Sequence, residues 1–221
     1  IEIYIYQSVE QVQSALHLAG RAWQAGQARP DLGVVLIAVA PGADATLELR
    51  RELAHELTHL LVYQATSPGY GHVPRWLDEG LAVSNEPSPN PTHQLVLQAA
   101  LRANALLSIE TLCAPFASDP STAQLAYAQS QSLVQFIRER YGAEGIRRLL
   151  AAYRDEAGCA TGVERALGVS LESLELSWRS SLEPHSAWQA VLNSMGVWIA
   201  LALLLLIAPI SFIAGKRKSG L

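Results

Sequence analysis

His55-Glu56-Leu57-Thr58-His59 concentrates more chemistry than any other stretch of the chain. Two imidazoles four residues apart lie on one face of an α-helix, so both can reach a single metal ion. Glu56, about 100° further round, is placed to work on a metal-bound water without being a ligand. Twenty residues after His59, Trp76-Leu77-Asp78-Glu79-Gly80-Leu81-Ala82 supplies a third candidate ligand, Glu79. Two histidines and one carboxylate leave the fourth tetrahedral position open to water, the arrangement of a catalytic rather than a structural zinc. The set predicts one Zn2+ per chain, held by His55, His59 and Glu79.

Neighbouring polar residues divide between a role at this centre and an ordinary one. Asp78 and Glu86 are each candidates to orient a ligating imidazole, or else to cap and solvate a helix. His72 lies in a Gly-rich loop from which it can line a cleft. His17, His93 and His185 lack ligand spacing and read as surface or core imidazoles. Arg50 and Arg51 read as partners of nearby acids or solvent, and Trp76 as packing that fixes one helix against the other.

Positioning these groups requires two helices. Asp44 or Thr46 caps the first, which runs to Thr66 before Ser67-Pro68-Gly69 stops it, with Leu53, Leu57, Leu60 and Leu61 as its core stripe. The second spans about residues 75–85, and Pro87, Pro89 and Pro91 end it. Upstream, Ile1 to Tyr6 alternates β-branched and aromatic residues and reads as a strand. Ser8 to Gln24 reads as an amphipathic helix with Val9, Val12, Leu16 and Ala19 inward. The apolar run Gly33 to Ala40 reads as a buried strand. From Thr92 the pattern is helical almost throughout, at about 92–106, 120–141, 143–156, 161–167 and 170–183. Strands followed by helices give an α+β fold, with a small N-terminal sheet, an active-site helix and a helical second half.

Composition narrows the function. Charged residues make up 16% of the chain and apolar ones 50%. Much of the excess is local, since residues 196–215 carry no charge and Lys216, Arg217 and Lys218 follow at once. Setting those three aside takes the formal net charge from −4 to about −7, an acidic remainder with no basic patch. Nucleic-acid binding is therefore not expected. Twenty residues in a helix span about 30 Å, enough to cross a hydrocarbon core. Trp188 and Trp198 suit the interface at the outer end, and Pro209 is a kink that membrane helices tolerate. The basic tail places the C-terminus in the cytoplasm and the rest of the chain outside. Ile1 in place of Met reads as the start of a piece of a longer precursor. Cys113 and Cys159 form either one disulfide or two buried thiols.

The blocks His55-Glu-Leu-Thr-His59 and Trp76-Leu-Asp-Glu79-Gly-Leu-Ala82 carry a family resemblance. A third block joins them, Ala126-Tyr127-Ala128-Gln129-Ser130 with Leu133-Val134-Gln135-Phe136-Ile137. Over about residues 1–182 the chain resembles gluzincin-type zinc metallopeptidases. It is most similar to the peptidase MA-like domains of bacteria, themselves distantly similar to thermolysin and aminopeptidase N. The resemblance implies His55, His59 and Glu79 as zinc ligands, Glu56 as general base and Tyr127 as an oxyanion donor. For Tyr127 the residues themselves leave simple helix packing open. The G-x-M-E-N segment with which aminopeptidases hold a free N-terminus is absent, so exopeptidase action gains no support.

The expected organisation is a peptidase domain at 1–183 (strand-containing half 1–90, helical half 91–183), a linker at 184–195, a transmembrane helix at 196–215 and a cytoplasmic tail at 216–221. The expected activity is zinc-dependent hydrolysis of peptide or protein substrates outside the cytoplasmic membrane, with the lipid bilayer as second partner. The alternative is a catalytically inactive zinc-binding or peptide-binding module that keeps the fold.

Overall fold

The computed structural model describes residues 1–16, 25–88 and 90–183. The chain divides into two units, Ile1–Arg179 and Ser180–Leu221. Of the second, only residues 180–183 are described. Strand β1 (Glu2–Tyr6), helix α1 (Val9–Leu16), β2 (Gly26–Arg29) and β3 (Val34–Ala38) come first. Then follow α2 (Ala45–Thr66), a 3₁₀ turn (Gly69–His72), α3 (Arg75–Ser84), α4 (Pro91–Arg102) and α5 (Ile109–Cys113). The long α6 (Pro120–Arg154), α7 (Cys159–Leu167) and α8 (Leu171–Leu182) complete the order. The result is an α+β fold, mostly helical with one small sheet.

The sheet runs β1-β3-β2, with β1 parallel and β2 antiparallel to β3. Its central strand is apolar on both faces because both are covered. Val35 and Ile37 pack on α2 through Leu60, with Leu49 and Leu53 partly buried beside them. Leu36 and Ala38 point the other way, onto Val12 of α1. A strand buried on both sides reads as a continuous apolar run, which is the pattern of residues 33–40.

Several expectations shift. The described part of the first helix is Val9–Leu16, and residues 17–24, including His17 and Ala19, lie outside the described residues. The strand β2 was not expected, because Gly26-Gln-Ala-Arg29 has neither alternation nor β-branched residues. Leu61, assigned to the α2 core stripe, is 62% exposed. It lies about 100° round the helix from Leu60, past the flank that meets the sheet. Asp44 sits at the α2 N-cap, but its side chain accepts no capping hydrogen bond there. The paired helices expected at 120–141 and 143–156 are α6, interrupted at Gly142, whose φ of 69° is the left-handed conformation glycine tolerates. Two short segments differ as well: α4 stops at Arg102, and α5 was not foreseen.

Packing against α6 sets α3 in place. A Cβ at Gly80 would collide with the Ser130 carbonyl, so glycine there lets the two helices approach backbone to backbone. Buried Gln129 clamps the loop before α5, accepting from Leu107 N (2.9 Å) and donating to Leu107 O (3.0 Å). Of the two fates open to the cysteines, the structure takes the disulfide, Cys113–Cys159, which ties α5 to α7 across 46 residues. Closing a loop of that length stabilises by about 4 kcal/mol on the chain-entropy account. Among the described residues no helix is long and apolar enough to cross a membrane. The segments assigned to the linker, the membrane helix and the basic tail, with His185, lie outside the described residues.

Candidate metal centre and its cleft

Helices α2 and α3 cross so that residues distant in sequence share one small volume. From α2 come His55, Glu56 and His59; from α3 come Arg75, Asp78 and Glu79. One ligand atom from each of His55, His59 and Glu79 can be chosen so that all lie within 4.8 Å of one another. Glu79 Oε2 stands 3.3 Å from His55 Nε2 and 3.6 Å from His59 Nε2. That oxygen is buried and, among the described residues, has no well-aligned hydrogen-bond partner. A buried carboxylate oxygen is costly unless something meets it, and here two imidazole nitrogens aim at the same point.

The far sides of both rings are held. His55 Nδ1 lies 2.9 Å from Glu86 Oε1, and His59 Nδ1 lies 2.9 Å from Asp78 Oδ1. A carboxylate on Nδ1 keeps the proton there and leaves the Nε2 lone pair for a cation. Both acids weighed for this role are therefore in place, one for each ring. The rings meet edge to face with centroids 5.0 Å apart. Asn85 Nδ2 adds a tie between the helices, donating to Thr58 Oγ1 at 3.2 Å.

Burial and neighbours act in opposite directions on the two central carboxylates. Burial pushes Glu56 up to about 7, against the partial pull of His55 and His59. Burial also pushes Glu79 up, but His55, His59 and the Arg75 guanidinium reverse this and hold it at about 2. Burial pulls the His55 imidazole down, and the carboxylates of Glu79 and Glu86 more than reverse this, leaving it well above its ordinary value. His59 ends higher too, where burial is overcome by Asp78 and then Glu79. The donor set of two histidine nitrogens and one ionised carboxylate oxygen, with a basic group beside it, fits a zinc ion.

Two cavities of about 230 and 310 Å³ meet at this point and share Gly26, His55, Glu56 and Tyr127 as lining. One extends past Glu52, Glu86, Asn90 and His93, the other along β2 past Arg29, Tyr70 and Arg75. The cleft thus runs to both sides of Glu56. At Gly26 a Cβ would run into Glu56 Oε1, so the strand wall and the carboxylate touch only because this residue is glycine.

Other candidates fall into place around the cleft. Tyr127 on α6 lines both cavities, its hydroxyl 3.5 Å from Glu79 Oε1 and its ring edge-to-face with Phe116 at 5.3 Å. Packing and cleft position are combined in this one residue. His72 is exposed on the 3₁₀ turn, and its neighbour Tyr70 reaches the centre instead, donating to Asp78 Oδ2 at 3.0 Å. His93, expected to be an ordinary imidazole, is buried against Gln131 (3.2 Å) and also lines the cleft. Arg51 pairs with Glu52, as expected of an arginine beside an acid. Trp76 is fully buried.

Sequence reasoning missed Arg75, Tyr70 and Gly26. For Arg75 a signal existed, because it stands three and four residues before Asp78 and Glu79 on a helix. Nothing local pointed to the other two.

Compared with known protein families, residues 1–184 match the Peptidase MA superfamily. No curated protein and no solved structure matches the chain. The match covers most of the chain, which therefore belongs to the Peptidase MA superfamily.

Proposed function

We propose that this member of the Peptidase MA superfamily is a zinc-dependent peptidase whose domain stands outside the cytoplasmic membrane on a C-terminal anchor. The observation that carries the reading is the convergence of His55 Nε2, His59 Nε2 and Glu79 Oε2, with a separate carboxylate behind each ring. His55, His59 and Glu79 would hold the ion. Bound zinc supplies a Lewis acid for the scissile carbonyl and brings the pKa of a coordinated water toward about 7. Glu56 is the proton carrier: its carboxylate takes the proton from the attacking water and passes it to the departing amide nitrogen. The wall at Gly26 confines that carboxylate, and burial raises its proton affinity into the range where it can both accept and donate. Tyr127, at the junction of the two cavities, donates a hydrogen bond from its hydroxyl to the developing oxyanion. A cleft extending both ways from Glu56 accommodates a peptide running past the scissile bond on either side.

Anchoring rests on the uncharged run at 196–215 and the basic residues after it. The Cys113–Cys159 disulfide supports the outside placement, since such bonds persist in oxidising compartments. The test is zinc content of the purified chain together with its hydrolysis of a generic unfolded protein. One zinc and cleavage are expected, and a chain that takes up no zinc overturns the reading. Protease added to spheroplasts should digest the domain and leave a small protected C-terminal fragment. Digestion only after lysis overturns the orientation.

A further inference from the structure

Glu79 offers two oxygens, and the structure treats them differently. Oε2 faces the two histidine Nε2 atoms, while Oε1 faces the Arg75 Nη2 at 2.6 Å and the Tyr127 hydroxyl at 3.5 Å. Arg75 stands one helical turn before Glu79, and its other terminal nitrogen, Nη1, lies 3.4 Å from Asp78 Oδ2. Asp78 Oδ1 in turn holds His59 Nδ1. A single planar guanidinium therefore touches one candidate ligand directly and a second through the carboxylate that orients it.

Bidentate and monodentate carboxylates have different consequences at a catalytic centre. A carboxylate free at both oxygens can close on a cation with both, and the second oxygen then competes with water for the open position. A charge-assisted hydrogen bond on Oε1 opposes this. Arginine suits the task better than lysine, because its rigid fork spans two acceptors at once. The Arg75 side chain is 36% exposed, but the Glu79 carboxylate it meets is only 2% exposed, so the bond ends at a buried acceptor.

We propose that Arg75 is a positioning residue that keeps Glu79 bound through Oε2 alone, preserving the fourth position for the attacking water. It acts through Glu79 and Asp78. The inference rests on the metallopeptidase reading above. It differs from the role of Asp78 and Glu86, which orient rings but do not decide how many oxygens Glu79 contributes.

The test loads the full chain and its Arg75→Gln and Arg75→Lys variants with zinc. It then reads ligand number by zinc-edge X-ray absorption, zinc affinity by chelator competition, and kcat and KM on one peptide. Arg75→Gln should gain a zinc–oxygen contact from Glu79 and lose about 10- to 100-fold in kcat, the usual effect of removing a partner of a ligand, with KM nearly unchanged. Arg75→Lys should fall between the two. If Arg75→Gln does not fold, the lysine variant carries the same comparison. Wild-type ligand number and kcat within twofold in the folded variants would overturn the inference while leaving the metallopeptidase reading intact. Failure of the unaltered chain to take up zinc would instead overturn that reading.

Discussion

The two helices that build the cleft each contribute one deeply buried glutamate, and their surroundings drive these apart. On α2, Glu56 is pushed up to about 7 because burial outweighs the pull of His55 and His59. On α3, Glu79 is held at about 2 because two imidazoles and Arg75 surround it. Burial alone would have made both proton carriers. The neighbours leave α3 with a permanent anion suited to a cation, and α2 with a carboxylate whose proton can move near neutral pH. On the proposed reading, one side of the cleft is an electrostatic anchor and the other a proton relay.

Breaking the anchor should have the largest effect. His59→Ala, or Glu79→Gln, should abolish stoichiometric zinc and with it all hydrolysis, measured by metal analysis of the dialysed protein. Full zinc occupancy in His59→Ala would remove that residue from the ligand set. Breaking the relay should leave the anchor whole. Glu56→Gln should bind zinc normally and lose at least about a hundredfold in turnover, because an amide cannot accept the proton. Turnover within a few-fold of the unaltered chain would place the base elsewhere.

Tyr127 bears on both sides, since its hydroxyl sits near Glu79 Oε1 and at the cavity junction. Tyr127→Phe should fold, bind zinc and lose about 10²- to 10³-fold in kcat, as loss of one oxyanion donor does elsewhere. An unchanged kcat would return Tyr127 to a packing role.

The most graded effect is that of pH on the anchor. His55 and His59 bind protons more tightly than ordinary imidazoles, and zinc must displace those protons. The raised groups are protonated at low pH, so apparent zinc affinity should fall as pH drops and rise as pH climbs through their raised values. The slope should reach up to about tenfold per pH unit for each proton displaced. Calorimetric titration in two buffers of different ionisation enthalpy counts those protons. A pH-independent affinity between 6 and 8 would mean that the rings are already neutral.

The two outer strands show where a sequence is legible. β1 has four residues, Ile3 to Tyr6, that alternate β-branched and aromatic, plain to read, yet four of its five residues are exposed. β2 has no such pattern, yet it walls the cleft and gives Glu56 its space at Gly26. Strand propensity reports how a residue fits a pleated surface, which says nothing about what crosses that surface.

His55, Glu56, His59 and Glu79 were determined by sequence because their relation is local: i, i+4 on one helix, and a carboxylate on the next. The same holds for the acidic charge, the apolar run at 196–215 and the helical second half. What only the tertiary structure decided is which acid meets which ring, that Arg75 divides Glu79 into a free and an occupied oxygen, and that Cys113 reaches Cys159. Which acid meets which ring depends on the approach of α3 to α2 and α6, helped by contacts such as Gly80 against the Ser130 carbonyl, and the disulfide on the approach of α5 to α7. The direction of a buried pKa is set by neighbours within a few ångströms, and at Glu79 two of those neighbours, His55 and His59, arrive from another helix.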